Sequence, residues 1–239
     1  MSAFDQDYSG VGDSQEEHWV SVSDLMAGLM MCFLMISVVF MIKMQIEKEK
    51  IQEVALLYEK LRTSLYEQLY EEFKDDLPRW GAELDEDDLT FRFIDDRLLF
   101  DHGKSDLKPE FKAILRDFFP RYTRIITNNG YQEAITEVRI EGHTSVGWGK
   151  AADADTAYIL NMRLSQARTR TTLAYLLLLP EVYKQKEWLR ERLTANGLSS
   201  SHPVVDEHGQ LDQERSRRVE FRLKTDAESR IADILDRMR

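Results

Sequence analysis

The sequence lacks several features that define common classes of protein. It has one cysteine, Cys32, so no disulfide can form within the chain. It has no excess of basic residues, since 32 Lys and Arg stand against 43 Asp and Glu, a formal net charge of −11. No basic stripe with interleaved aromatic residues interrupts this acidic balance, which argues against a nucleic-acid partner.

Long uncharged runs are also scarce, and only one is long enough to cross a bilayer. Residues 25–42 carry no charge, and the run counted from Trp19 can span about 30 Å at about 1.5 Å per residue. Residues 1–18 hold five acids and no Lys or Arg, whereas a signal peptide begins with basic residues. We therefore expect a permanent single-span anchor rather than a cleaved signal peptide.

The charges that flank the run point weakly to one orientation. Lys43, Lys48 and Lys50 follow it, so the positive-inside rule alone would place the C-terminal bulk of the chain in the cytoplasm. The acidic residues interleaved with these lysines count little in that rule.

Asp24 lies near the start of the apolar run, and no basic residue is within reach on the same segment. An ionised carboxylate in hydrocarbon costs at least ~2.5–3.5 kcal/mol, so such residues usually face a protein interior and handle ions. The alternative is an interfacial Asp that caps the helix just outside the lipid. The position alone leaves both interpretations open.

Residues 44–77 contain no Pro or Gly and predict a long helix. Apolar residues at seven-residue spacing favour a stalk that pairs with a second copy of itself. The alternative is a lone amphipathic helix that lies on the membrane or on its own domain. The spaced residues are Met44, Ile51, Val54, Tyr58, Leu61 and Leu65.

From about residue 80 the pattern predicts a compact α/β domain. Apolar residues predict strands around Phe91, over 138–142 and over 217–224. Apolar stripes of helical period predict helices over 108–127 and 156–179. With a third helix, the order is β-α-β-α-β with an extra helix.

Three finer predictions concern local structure. Residues 98–100 are predicted to be extended. The third helix is predicted over 181–196, with Asn196 and Gly197 ending it in a left-handed cap. The basic run 215–222 alternates with Val219 and Phe221, which indicates one face of a strand.

Four blocks in this domain stand in a fixed order: FDHGKSDLKPE at 100–110, VRIEGHT at 138–144, Asn161 with LSQAR at 164–168, and RRVE at 217–220. Together they resemble the signatures of the OmpA/MotB-type peptidoglycan-binding domain. Residues 19–35 resemble the single transmembrane helix of MotB-like ion-driven motor subunits. Within this superfamily the chain is most similar to the ZorB family of the Zorya anti-phage membrane complexes.

The resemblance implies an inner-membrane protein with its N-terminus in the cytoplasm and its α/β domain in the periplasm. It implies a MotA/ZorA-like multi-span partner that surrounds two copies of this chain, with Asp24 between them carrying H⁺, or Na⁺, and no resident cofactor. The implied segments are a cytoplasmic tail at 1–18, the transmembrane helix at 19–44, a helical linker at 45–78, the OmpA-like domain at 79–226 and a C-terminal helix at 227–239.

The resemblance also implies a peptidoglycan site that holds the diaminopimelate of the stem peptide. Arg168 matches the family arginine that pairs with the carboxylate, a role that suits a bidentate guanidinium. Thr144, Asn161 and Leu164 are expected at the mouth of the site.

The carboxylate that would hold the ammonium of diaminopimelate has no clear counterpart. Position 145 is Ser where the family has Asp. Asp153 or Asp155 could supply the carboxylate, and the alternative is that both are solvated loop charges.

The sequence gives no indication of an enzyme or of a metal site. His143 has no second His or Cys at ligand spacing, so a packing role is expected, and Ser165 has no triad partners. The principal hypothesis is an ion-conducting motor subunit in anti-phage defence that is anchored to peptidoglycan. The alternatives are a flagellar-type stator subunit and a passive tether between membrane and cell wall.

Overall fold

The computed structural model describes residues 13–94, 96–149 and 153–226. The predicted C-terminal helix, and residues 1–12 of the predicted cytoplasmic tail, lie outside the described residues. The chain divides into two compact units, of which the second begins at Val54. The predicted domain boundaries stay a prediction.

Helix α1 extends over Asp13–Phe73, 61 residues without a break. The stretch Val22–Phe73 of this helix is long and apolar enough to cross a membrane, with a mean hydropathy of 2.6 in an 18-residue window. The large apolar side chains of residues 25–42 are all exposed on the single chain. This part of the helix therefore contributes nothing to the protein's own core.

The last turns of α1 belong to the α/β unit. Leu65, Leu69 and Phe73 are completely buried in its hydrophobic core. Arg121 fastens this end of α1 by donating hydrogen bonds to Glu72 Oε1 at 2.7 Å and to Asp76 Oδ2 at 2.8 Å. For these turns the alternative of a helix lying on its own domain is confirmed, because the buried stripe faces the core of the same chain.

The domain is built on a five-stranded sheet in the order β1-β2-β7-β3-β4. All neighbouring strands are antiparallel except β3 and β4, which are parallel. A two-stranded sheet pairs β5 with β6. The strands are β1 (Ala82–Leu84), β2 (Phe91–Phe93), β3 (Ile135–His143), β4 (Leu193–Ser199), β5 (Val204–Val205), β6 (Leu211–Asp212) and β7 (Val219–Thr225).

The helices follow the predicted order between these strands. The chain runs β2, α4, β3, α5, an extra helix α6 and then β7, so the predicted β-α-β-α-β order is confirmed. The structure adds β1 and β4 to the predicted strands of the five-stranded sheet. The helices are α2 (Leu77–Trp80), α3 (Asp96–Leu99), α4 (Pro109–Ile126), α5 (Ala154–Leu177), a 3-10 helix (Pro180–Gln185), α6 (Lys186–Arg192) and α7 (Gln213–Ser216).

Aromatic side chains fill the centre of the core. The ring of Phe118 on α4 lies 5.0 Å from that of Phe91, 5.3 Å from that of Phe93 and 5.2 Å from that of Phe221. Each such pair is worth about 0.5–1.5 kcal/mol beyond the burial of its surface. One face of the sheet is therefore covered by α4 and its neighbours.

The opposite face of the sheet is charged, as the alternation in 215–222 predicts. Val219 and Phe221 on β7 point into the core, so Arg218, Glu220 and Arg222 point to the other face. The register pairs Glu141 of β3 with Glu220.

The prediction of a third helix over 181–196 is wrong at its end. The helix stops at Arg192, and residues 193–199 form β4, which pairs with β3 from Val138 opposite Leu193. Gly197 lies within β4 and therefore does not cap a helix. A Cβ at this position would collide with the backbone of Gln166 on α5. Close packing of the strand against α5 outweighs the local preference for a helix.

The prediction of extended structure at 98–100 is wrong for its first two residues, which end α3. Phe100 is extended and makes an isolated bridge to Leu107. The bridge closes a tight loop before α4, and the turn of helix that precedes this loop has no apolar period of its own.

Candidate functional site

A cavity of about 320 Å³ lies between the end of β3, the start of α5 and the loop before α4. All four residues predicted for peptidoglycan binding line it, although they lie up to 24 positions apart in the sequence. Their role in binding stays a prediction. The lining residues are His102, Gly103, Thr144, Ser145, Gly147, Trp148, Gly149, Asn161, Leu164, Arg168 and Arg217.

Helix α5 and strand β3 place these side chains. Asn161, Leu164 and Arg168 lie three and four positions apart, so they follow one face of α5. Thr144 comes directly after β3, and its backbone N–H donates to the Ser199 carbonyl at 2.9 Å. Parallel pairing of β3 with β4 thus fixes the strand end that faces the cavity.

Arg168 is 6% exposed and fastens the loop before α4. Its Nε donates to the Lys104 carbonyl at 2.9 Å and its Nη2 to the Asp101 carbonyl at 3.3 Å. Its guanidinium carbon lies 4.7 Å from the centre of the Phe100 ring, within range for a cation–π contact. The arginine therefore shapes the cavity as well as placing positive charge on its wall.

Asn161 shapes the opposite wall. Its amide donates to the carbonyls of Ser145 at 3.3 Å and Gly147 at 2.9 Å. These bonds tie the loop after β3 to α5, so the side chain predicted at the mouth of the site also holds that mouth together.

Positive groups dominate the described wall of the cavity. The guanidinium groups of Arg168 and Arg217 line it, and the described lining residues include no carboxylate. The cavity is therefore suited to a carboxylate or another anionic group.

Neither candidate for the missing carboxylate is among the described lining residues. Asp153 is the N-cap of α5 and accepts hydrogen bonds from Thr156 N at 2.9 Å and Thr156 Oγ1 at 2.8 Å. Those bonds, led by the one from the backbone N–H, lower the pKa of Asp153. Asp155 is exposed in the first turn of α5. Capping, rather than ligand binding, accounts for Asp153.

Trp148 is an aromatic lining residue that was not predicted from the sequence. It lies between Gly147 and Gly149, both of which have positive φ. Glycines on both sides of the tryptophan let the backbone turn sharply enough to bring the indole back against the cavity. No spacing rule pointed to it, although an aromatic residue between two glycines in a long loop is a usable signal.

Asp24 is exposed on α1 of the single chain, as are the large apolar residues that follow it. It lies within two turns of Leu29 and Met31, so a carboxylate and an apolar surface share one segment of helix. Burial of this carboxyl would require lipid or other protein chains.

Comparison with known proteins gives one full-length relative. No family model matches the chain. Zorya protein ZorB of Escherichia coli is 49% identical over 223 residues, which covers 93% of this chain and 94% of that protein.

Solved structures with lower sequence identity match part of the chain. A putative MotB-like protein from Desulfovibrio vulgaris has 23% identity and a TM-score of 0.47, covering 70% of this chain and 95% of that one. The cell wall anchor of the T6SS from Pseudomonas aeruginosa has 20% identity and a TM-score of 0.44, covering 66% and 96%. The periplasmic domain of Helicobacter pylori MotB has 14% identity and a TM-score of 0.42, covering 66% and 90%.

Proposed function

The chain belongs to the ZorB family, and we propose from this premise that it is the membrane-anchored subunit of an ion-driven motor complex in anti-phage defence. The observation that carries the proposal is the extent of the identity, which runs through nearly the whole of this chain and of its relative. Both α1 and the α/β domain are thus accounted for together. A passive tether between membrane and cell wall would also use both, but it would give Asp24 no ion-carrying role.

The proposed topology places α1 through the inner membrane and the α/β domain in the periplasm. One described helix has the length and apolar composition for this. The lysines after the apolar run favour the opposite orientation, so the topology rests on family membership and the peptidoglycan-type cavity.

The proposed ion carrier is Asp24. It is exposed on the single chain, and the chains proposed to surround it are a second copy and a MotA/ZorA-like multi-span subunit. A carboxyl held among apolar helices can take up a cation and release it when a polar path opens. One charge moved through 100 mV supplies ~2.3 kcal/mol, enough to bias a conformational step that turns one subunit ring against another.

The variant Asp24→Asn tests the ion-carrying role, because it keeps the size of the side chain and removes its charge. We expect the efficiency of phage plating to rise to that on cells without the defence system. The amount of the protein in the membrane and its co-purification with the multi-span partner should stay unchanged. Asp75→Asn, at an exposed acid between α1 and α2, is the matched control and should keep full defence.

Full defence by Asp24→Asn would contradict the motor and leave the tether. A swimming defect without a plating defect, in cells that depend on the protein for both, would favour a flagellar-type stator instead.

The proposed anchor is the cavity on the α/β domain, with Arg168 facing a stem-peptide carboxylate. Arg168 also fastens the loop before α4, so its removal would confuse binding with folding. Leu164 and Ser145 line the cavity without belonging to the hydrophobic core, and they give cleaner variants.

Leu164→Glu should abolish retention on purified cell-wall sacculi, because it places a competing carboxylate beside the cationic wall. Ser145→Asp should strengthen retention up to roughly fivefold, the value of a partly exposed ion pair with a ligand ammonium. Arg170→Ala, exposed on the same helix, is the control. Equal retention of all these variants would contradict the anchoring site.

The prediction that the chain is not an enzyme remains part of this proposal. Work would come from the ion gradient, and the α/β domain would resist the torque by holding the cell wall.

A further inference from the structure

A second cavity, of about 480 Å³, lies over the charged face of the sheet. Strands β3 and β7 supply its floor, where arginines and glutamates alternate with the core residues. The floor residues used below are Arg92, Arg139, Glu141, His143, Arg218 and Glu220.

Three potential metal ligands converge at the floor of this cavity. Glu141, His143 and Glu220 are 3%, 4% and 3% exposed, and one ligand atom from each lies within 4.8 Å of the others. His143 Nε2 is 3.5 Å from Glu220 Oε2 and 3.8 Å from Glu141 Oε2. The antiparallel register of β3 and β7 pairs Glu141 with Glu220 and so brings Glu220 to Glu141 and His143, which share β3.

These separations are too long for ordinary hydrogen bonds, which have donor–acceptor distances of about 2.7–3.2 Å. Neither ring nitrogen of His143 has a hydrogen-bond partner among the described residues. Buried polar atoms without a partner are rare in folded proteins and call for an explanation. The imidazole is therefore a buried and unsatisfied group that faces two carboxylates.

The separation of 3.5 Å matches that between two ligands of one metal ion, and the separation of 3.8 Å is slightly longer. Ligand atoms about 2.0–2.2 Å from Zn²⁺ at tetrahedral angles lie roughly 3.3–3.6 Å from one another. One imidazole nitrogen and two carboxylate oxygens form a three-ligand set, which leaves a fourth position for water from the cavity.

Arginines hold the outer oxygens of both glutamates, while the inner oxygens face His143 and, in the case of Glu141 Oε2, also Arg222 Nη1 at 3.9 Å. Glu220 Oε1 accepts from Arg218 Nε at 2.6 Å and from Arg92 Nε at 3.1 Å. Glu141 Oε1 accepts from Arg139 Nη1 at 3.4 Å. Partners of this kind orient metal ligands in known sites.

The surrounding arginines do not by themselves exclude a cation, because Arg92, Arg139 and Arg222 each have other acidic partners. Arg92 pairs with Asp85 at 2.6 Å and with Asp88 at 3.3 Å. Arg139 pairs with Glu137 at 2.7 Å. Their charge is therefore shared with neighbouring carboxylates, while the Oε2 atoms of Glu141 and Glu220 remain directed at His143.

We propose that Glu141, His143 and Glu220 bind a divalent cation of the zinc class, which clamps β3 to β7 beneath the cavity. The site is separate from the cavity that contains Arg168 and does not depend on ion transport. The competing occupant is a proton on His143, which would form a buried ion pair without any metal.

Zinc binding by the full-length chain in detergent tests the proposal. After chelation and removal of the chelator, we expect one Zn²⁺ per chain in competition with a chromophoric chelator, and a higher Tm with zinc than without. His143→Gln and Glu220→Gln should each weaken binding by at least about tenfold, since each removes a ligand. His208→Gln, at an exposed histidine, is the matched control and should bind like the unaltered chain.

Cobalt provides a second measurement that does not depend on the variants' folding. Co²⁺ bound to the unaltered chain should give the intense visible absorption of a tetrahedral site. Absence of stoichiometric zinc binding by the unaltered chain would overturn the proposal in favour of the proton. So would binding that folded His143→Gln and Glu220→Gln retain in full.

Discussion

The N-terminal part of α1 and the α/β domain use apolar residues in opposite ways. Residues 25–42 expose their large apolar side chains on the single chain, whereas the domain packs side chains such as those of Phe73, Phe118 and Phe221 into one core. The domain therefore has the buried surface to fold by itself. The helix segment needs lipid or partner subunits to cover it, as expected for a part whose work is done between chains.

The largest expected effect is a loss of stability when a phenylalanine in the core of the domain is replaced by alanine, compared with the same replacement in α1. Phe118→Ala should lower the free energy of unfolding of the domain by about 3–5 kcal/mol, because it removes the ring at the centre of the aromatic cluster. Phe33→Ala, on the exposed face of α1, should leave it unchanged. Denaturant unfolding of the full chain in detergent, followed by near-UV circular dichroism, measures both. Equal losses would contradict the separation of the two regions.

Two glycines sharpen the comparison. Gly197→Ala should destabilise the domain by about 1–3 kcal/mol, because the added Cβ collides with the Gln166 backbone where β4 meets α5. Gly28→Ala on α1 meets nothing within 4 Å on the single chain and should favour the helix by about 0.5–1 kcal/mol. Thermal unfolding of the two variants checks the sign, and a stabilised Gly197→Ala would refute the close approach.

A smaller effect is expected where α1 joins the domain. Burial would raise the pKa of Asp76, but hydrogen bonds from Arg121 and Arg79 outweigh it and lower the pKa. A lowered pKa contributes stability above the unfolded value of about 3.9, and that stability is lost as pH falls through the folded pKa. Asp76→Asn should therefore cost about 1–2 kcal/mol at pH 7.

The pH dependence supplies the control for this variant. Below about pH 4 the unaltered chain loses the contribution of Asp76, so the difference between the two proteins should shrink there. Unfolding curves at pH 7 and pH 3 measure the change. A difference that does not depend on pH would show that lost packing, and not the charge, explains the cost.

Much of the domain could be predicted because its elements carry strong local patterns. The apolar stripe of α4 and the alternation in β7 are properties of neighbouring residues. The four residues predicted for the peptidoglycan site came from a family resemblance, and the structure places them around one cavity. Their motifs sit on elements whose ends the fold brings to the same place.

Other features escaped prediction because they depend on distant partners. Residues 193–196 lack a decisive local pattern, and pairing with β3 decides that they form a strand. Leu61 and Leu65 fit a heptad pattern equally well whether they face a second copy or their own domain. His143 had only Glu141 nearby in the sequence, two residues earlier on the same strand, and Glu220 reaches it from β7.

The sequence by itself determined the uncharged span with Asp24 at its start, the α/β pattern that follows it, and the alternating charges on β7. Each is written in the spacing of adjacent side chains, which fixes the periodicity of an element and the face that is apolar. Only the tertiary structure decided that the end of α1 completes the core, that Trp148 joins the cavity wall, and that Glu141, His143 and Glu220 meet. Those contacts join residues far apart in the chain, and strand register and helix packing, which no local period encodes, set their distances.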